Sequence, residues 1–244
     1  EAQGELRVMS ARVEEWLRRA QETGDTHTSL LAGIYSALIL VAAGQTAEAR
    51  ARVQTALARW SGAGFHVQHL HALKIEIYCD LHEGRPADAW QRILAVWPQL
   101  EGSDFLRIAT RRTEALTLRA KAALGAMRAD HIGHAHLSEI VSQDVHQLER
   151  ERKAHLNAEA ALLRAGLVAC AGNRAAASRH LDVAISGFEQ VGMNLNAAAL
   201  RRLCAQTPGS GTATAASHAD ALMRMQGIKD TDAWLRIVAP GLVD

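Results

Sequence analysis

Apolar positions recur at steps of three and four almost from the start of the chain. Between Glu5 and Gln21, Leu6, Met9, Val13, Trp16, Leu17 and Ala20 form one stripe among charged and polar residues. That is the pattern of an amphipathic helix with one buried face. No segment alternates with period two long enough to make a strand, so the prediction is an all-α chain. The same periodicity places helices over 5–21, 27–43, 47–60, 66–82, 87–97, 104–124, 129–151, 154–171, 175–191 and 195–206. Gly24 ends the first helix, and Asp25 or Thr26 caps the second. Pro98 is expected to stop the fifth at Trp97, because proline can neither donate the next backbone bond nor follow a helical residue comfortably.

A recurring punctuation joins these helices: an apolar helix, a glycine, a short polar turn and a helix that opens with small residues. It reads Ala43-Gly44-Gln45-Thr46-Ala47-Glu48-Ala49, then Glu83-Gly84-Arg85-Pro86-Ala87-Asp88-Ala89, and again Ala171-Gly172-Asn173-Arg174-Ala175-Ala176-Ala177. A degraded copy surrounds Gly125, with Asp130 where the others carry alanine. The glycine steps are 40, 41 and 47 residues. Two helices per unit at a near-constant period predict an α-solenoid, since a lone helical hairpin cannot bury its apolar face and stacked neighbours can. Thr207-Pro208-Gly209-Ser210-Gly211-Thr212 reads as a linker. Short helices near 216–226 and 231–238 follow it, the first stopped by Gly227 and the second closed by Pro240 and Gly241. This tail, with Leu222, Met223, Met225, Ile228, Trp234, Leu235 and Ile237, is expected to dock on the final hairpin as a cap. The organisation read from these signals is a repeat array over 1–207, then a linker and capping helices over 208–244.

The glycine-then-small-residue steps Gly44…Ala49…Ala56, Gly84…Ala89…Val96 and Gly172…Ala177…Ala184 resemble those of tetratricopeptide repeats. The tryptophan and tyrosine of that family's first helix are mostly absent, and the period is longer than the family's usual 34 residues. The resemblance implies a divergent, right-handed TPR-like solenoid of stacked antiparallel helix pairs, about four repeats, with a C-terminal helical cap. A narrower likeness covers the ending. Ala197-Ala198-Ala199-Leu200-Arg201-Arg202-Leu203, Met223-Arg224-Met225-Gln226-Gly227-Ile228-Lys229-Asp230 and Val238-Ala239-Pro240-Gly241 look like the C-terminal region of large bacterial Ser/Thr protein kinases with an ATPase module. It implies a scaffold or sensor segment of a signalling protein, beside an upstream kinase or ATPase domain.

Composition narrows the partners. Lys and Arg number 27 against 26 Asp and Glu, a formal net charge of +1, so no global field recruits nucleic acid or an anionic membrane. Hydrophobic residues make up 48% and charged residues 22%, which excludes a disordered chain. The longest apolar run, Ile34 to Ala43, is far shorter than a bilayer span. Cys79, Cys170 and Cys204 are odd in number and widely spaced, so a reduced, cytoplasmic setting is expected rather than a disulfide framework. The chain starts Glu-Ala-Gln-Gly without a secretion signal, which reads as a boundary inside a longer protein.

No phosphate-binding loop, nucleophile elbow, His-Glu-x-x-His or Cys-x-x-Cys occurs, so neither catalysis nor a cofactor is expected. His66-Val67-Gln68-His69-Leu70-His71 and His131-Ile132-Gly133-His134-Ala135-His136 share the spacing H-x2-H-x-H. Two imidazoles three apart on a helix can share a zinc ion, but two further ligands have no motif to place them, and a surface or interhelix role is the simpler reading. The basic pairs Arg18-Arg19, Arg111-Arg112 and Arg201-Arg202 stand among acidic residues, as on a solvated helix face. Trp60, Trp90 and Trp97 are expected between repeats.

In the resembled family the first helix of each pair lines a concave groove. Carrying that register back from each glycine gives Leu31, Ile34, Leu38 and Val41, then His71, Lys74, Tyr78 and Leu81, then Arg112, Ala115, Arg119 and Ala122, then Glu159, Leu162, Gly166 and Ala169. The candidate partner-binding set is Leu31, Ile34, Leu38, His71, Lys74, Tyr78, Arg112, Arg119 and Glu159. It predicts a protein or peptide segment with apolar anchors and an acidic patch held in the groove. The alternative readings are a small-molecule sensor and a structural or self-associating module. An open groove favours the first, a pocket with a few convergent polar groups the second, and exposed apolar faces the third.

Overall fold

A computed structural model describes residues 6–58, 60, 64–129, 134–206 and 213–243. They form helices α1 (Leu6–Thr23), α2 (Thr26–Ala42), α3 (Thr46–Leu57), α4 (Val67–His82), α5 (Pro86–Glu101), α6 (Ala109–Ala129) and α7 (His134–Arg150). Then come α8 (Ala154–Cys170), α9 (Arg174–Gln190), α10 (Asn194–Ala205), α11 (Ala213–Met225) and α12 (Thr231–Val238). A short 3-10 turn, Asp104–Arg107, precedes α6. No strand occurs among the described residues, and none of their helices is long and apolar enough to cross a membrane. The fold is all-α.

The recurring punctuation has a common geometry. Gly44, Gly84 and Gly172 lie at φ of +74°, +72° and +81°, which L side chains rarely adopt. In each turn the next N–H reaches back five residues: Gln45 to Leu40 O, Arg85 to Asp80 O and Asn173 to Val168 O, at 2.8, 2.8 and 2.9 Å. These bonds satisfy carbonyls that the helix end leaves unpaired. Asp25 caps α2 by accepting from Thr28 N at 3.0 Å, and Asn173 caps α9 by accepting from Ala176 N at 3.0 Å.

Three sequence expectations need correction. Gly125 is no turn: it lies inside α6, where an added Cβ would sit 2.9 Å from Pro86 Cβ and 3.2 Å from Leu81 Cδ2. That glycine serves close packing, and α6 runs on to Ala129. Helix α5 does not stop at Trp97 but passes through Pro98 to Glu101. Its buried stripe of Trp90, Ile93, Trp97 and Leu100 continues across the proline, and that burial outweighs one missing backbone bond. The helix expected over 104–124 is divided by the 3-10 turn, which Ser103 caps by accepting from Phe105 N.

Helices α2, α4, α6 and α8 pack each against the next, forming a common layer, and α3, α5, α7 and α9 each pack on the helices before and after them. Trp90 and Trp97 are buried as expected, and Trp60 is half-buried against His27 and His66.

The tail goes further than the final hairpin. Helix α11 packs on α10, but α12 packs on both α10 and α4. Residues 229–241 then cross the C-terminal ends of the layer in order. Lys229 N donates to Ala42 O at 3.1 Å, and Arg236 Nη2 donates to His82 O at 2.7 Å. Pro240 meets Gly125, and Gly241 lies so close to Gly166 that a Cβ on it would be 3.0 Å from Gly166 Cα. The Arg236 guanidinium at the C-terminus of α4 pairs a cation with the negative end of a helix dipole. Arg202 of α10 ties this segment to α11, donating to Asp232 at 2.7 Å and to Asp220 at 2.5 Å.

Candidate ligand-binding site

Beneath this crossing segment lies a cavity of about 310 Å3. It is bounded by Leu6 of α1, Leu38 of α2, Lys74 and Tyr78 of α4, and Thr113, Glu114, Thr117, Leu118 and Lys121 of α6. His155, Leu156 and Glu159 of α8 and Met193, Leu195 and Asn196 at the start of α10 continue the wall. Trp234, Ile237 and Val238 of α12 close it. Asp230 caps α12 by accepting from Ala233 N at 2.9 Å, and that short helix turns its apolar residues inward, all three buried. The exposed His155 stands at the rim.

The walls are mainly apolar, with two ion pairs set into them. Lys74 Nζ lies 2.9 Å from Glu114 Oε1, bridging α4 and α6, and Lys121 Nζ lies 2.9 Å from Glu159 Oε1, bridging α6 and α8. Burial works to raise the Glu114 pKa, but the nearby His71 ring and the charge and hydrogen bond of Lys74 outweigh it and hold the carboxyl at about 2. Burial likewise works to lower the Lys121 pKa, and the charge of Glu159 reverses this, leaving it above the ordinary lysine value. Both groups are therefore fixed charges at neutral pH, suited to binding rather than to proton transfer, which needs a pKa near the working pH. The indole Nε1 of Trp234 is buried and without a hydrogen-bond partner.

Of the nine residues the groove register selects, Leu38, Lys74, Tyr78 and Glu159 border the cavity. His71 stands behind it, with Nε2 at 3.6 Å from Glu114 and its ring against Tyr35. Ile34 is buried in the core and Leu31 is packed against it. Arg112 and Arg119 face the other way. Arg112 pairs with Glu151 at the end of the α7 hairpin, and Arg119 makes a two-armed bond to Asp144 of α7 and lies 3.5 Å over the Trp97 ring. The register fails on α6 because it was counted from Gly125. In α2, α4 and α8 the turn glycine stands two residues past the helix end. The same offsets counted from the end of α6 fall on Leu118, Lys121, Gly125 and Arg128. Leu118 and Lys121 are thus lining residues that the sequence reading missed and that the true helix end finds; Glu114 lies outside the register.

The histidine clusters divide. His131 lies outside the described residues. In the other cluster His66 caps α4, donating its N–H to His69 Nδ1 at 2.9 Å, while His71 points to Glu114. Among the described residues no three His, Cys, Asp or Glu side chains are placed to hold a metal ion.

Comparison with known proteins gives no relative: no protein-family model, no curated protein and no solved structure matches this chain.

Proposed function

We infer that this chain is a non-catalytic regulatory domain, a TPR-like helical solenoid that senses a small molecule in the cavity between its first helices and its own C-terminal segment. The observation that carries this reading is the cavity of about 310 Å3, apolar-walled, with two convergent ion pairs and a roof made by α12. Its size falls at the lower end of ligand pockets, roughly 300–1,000 Å3. Fixed charges at Glu114 and Lys121 favour recognition over chemistry. The resemblance of the C-terminal stretch to bacterial kinase–ATPase chains supports a cytoplasmic signalling role, in which ligand occupancy is reported to a neighbouring domain.

The reading in which a protein or peptide segment occupies the groove has one observation in its favour: α12 itself is an amphipathic helix seated there through Trp234, Ile237 and Val238. A partner would have to displace it. The two readings part in one experiment. A metabolite panel is screened by thermal shift against the wild type, Thr117→Phe, which fills the cavity, and a chain ending at residue 227. Sensing predicts compounds that raise the wild-type midpoint and lose their effect in both variants. Compounds that act equally on Thr117→Phe, or a panel with no effect, would overturn it.

A further inference from the structure

The charges set into the cavity specify more than its size. Lys74 and Lys121 each stand eight residues before the end of their helices, α4 and α6. Each ammonium lies 2.9 Å from a carboxylate, Lys74 from Glu114 and Lys121 from Glu159. The cavity wall therefore carries two ion pairs, two cations and two anions, with no net charge among them. Trp234, Ile237 and Val238 supply an apolar roof, and Leu38 and Leu195 apolar walls.

On the sensing reading above, we propose that the ligand is a zwitterionic amphiphile, an α-amino acid with a large apolar side chain. Its carboxylate meets Lys74 and Lys121, its ammonium meets Glu114 and Glu159, and its side chain lies against Trp234 and the leucines. The argument is one of charge balance. A ligand of net charge leaves one of the four wall ions, of which Lys121 and Glu159 are buried, opposed by its own sign, and a buried unbalanced charge is the costly case. A wholly apolar ligand leaves the ion pairs where they are and uses only the walls. A zwitterion adds no net charge and shares charge-assisted hydrogen bonds with the cations and the anions of both pairs. The cavity of about 310 Å3 has room for an amino acid with a large side chain.

The test uses four probes of nearly one shape, titrated calorimetrically into the intact chain. L-phenylalanine carries both charges, 3-phenylpropanoate only the negative one, 2-phenylethylamine only the positive one, and ethylbenzene neither. The expected result is that L-phenylalanine binds at least 30-fold more tightly than any of the others. The double variant Lys121→Gln/Glu159→Gln, which keeps size and polarity, should lose that margin while still binding ethylbenzene. Comparable binding of a singly charged probe, or of ethylbenzene, removes the zwitterion and leaves the cavity as a binding site. Failure of all four at millimolar concentration removes both. Retention of the full margin in a folded double variant would also overturn the proposal, since it would place the recognition elsewhere.

Discussion

Truncating Trp234 to alanine tests whether α12 is part of the core or a loosely attached end. Its side chain is 6% exposed, among Leu235, Ile237 and Val238, which are equally buried. A buried tryptophan removes about 150–250 Å2 from water, so at about 25 cal/mol per Å2 its transfer contributes roughly 4–6 kcal/mol at most. Large-to-alanine core truncations cost about 3–5 kcal/mol, and Trp234→Ala is expected in that range. The loss has a ceiling, because α12 can detach while the layer beneath it stays folded. The cost therefore cannot exceed the free energy with which the tail docks. Urea unfolding measures the stability, and native-state trypsin cleavage after the exposed Lys229, whose N–H is tied to Ala42 O, reports detachment. Met225→Ala, at a position 64% exposed, is the control and should stay within about 0.5 kcal/mol. A loss below about 1 kcal/mol in Trp234→Ala with unchanged cleavage would refute the placement of α12 as a core element.

Three further outcomes follow from local contacts. Glu114 titrates near 2 when folded and near its ordinary 4.5 when unfolded, so its ionised form stabilises the fold by about 3 kcal/mol above pH 4.5. That stabilisation is lost as pH falls from 4.5 toward 2, and urea midpoints across that range should flatten in Glu114→Gln; an unchanged slope would contradict the pairing. Arg119→Met strands the fully buried Asp144 and should cost about 3–5 kcal/mol, whereas Arg119→Met/Asp144→Leu should return to within about 1 kcal/mol of wild type in the same assay. Gly187 in α9 lies where a Cβ would be 2.8 Å from Ala158 Cβ. Gly187→Val should therefore destabilise by about 1–3 kcal/mol despite better helix propensity, with Ala158→Gly restoring part of the loss in thermal unfolding.

The helices were legible because their information is local. Most helices of the described residues lie within a few residues of where periodicity and capping put them, and the turn glycines mark bonds that only a left-handed residue closes. Gly125 was misread for a physical reason: glycine serves both sharp turns and close helix contact, and one residue does not say which. The true contact is with Pro86, which stands 39 positions away, and Pro240, which stands 115 away. The path of the tail was not legible at all. Lys229 to Ala42 and Arg236 to His82 are pairings across most of the chain, and neither leaves a periodic trace. Four lining residues, Leu38, Lys74, Tyr78 and Glu159, followed from register alone. Leu118 and Lys121 on α6 depended on knowing where that helix ends, and Glu114 lies outside the register altogether.

The position of α12 also fixes the sign by which different occupants act on it. A partner helix competing for the same face opposes an intramolecular segment whose effective concentration is on the order of millimolar for a short tether. It must outbind α12 by that margin, and its binding frees residues 228–243. A small molecule in the cavity instead touches Trp234, Ile237 and Val238 from beneath and adds contacts that exist only while α12 is docked. By linkage it holds the tail down, by RT ln(1 + [L]/Kd) if it binds the docked state alone. At a hundredfold excess over Kd that is about 2.7 kcal/mol, so trypsin cleavage at Lys229 should slow by roughly a hundredfold. Faster cleavage on addition of a stabilising compound would mean that the compound displaces α12, and would return the groove to the segment-binding reading.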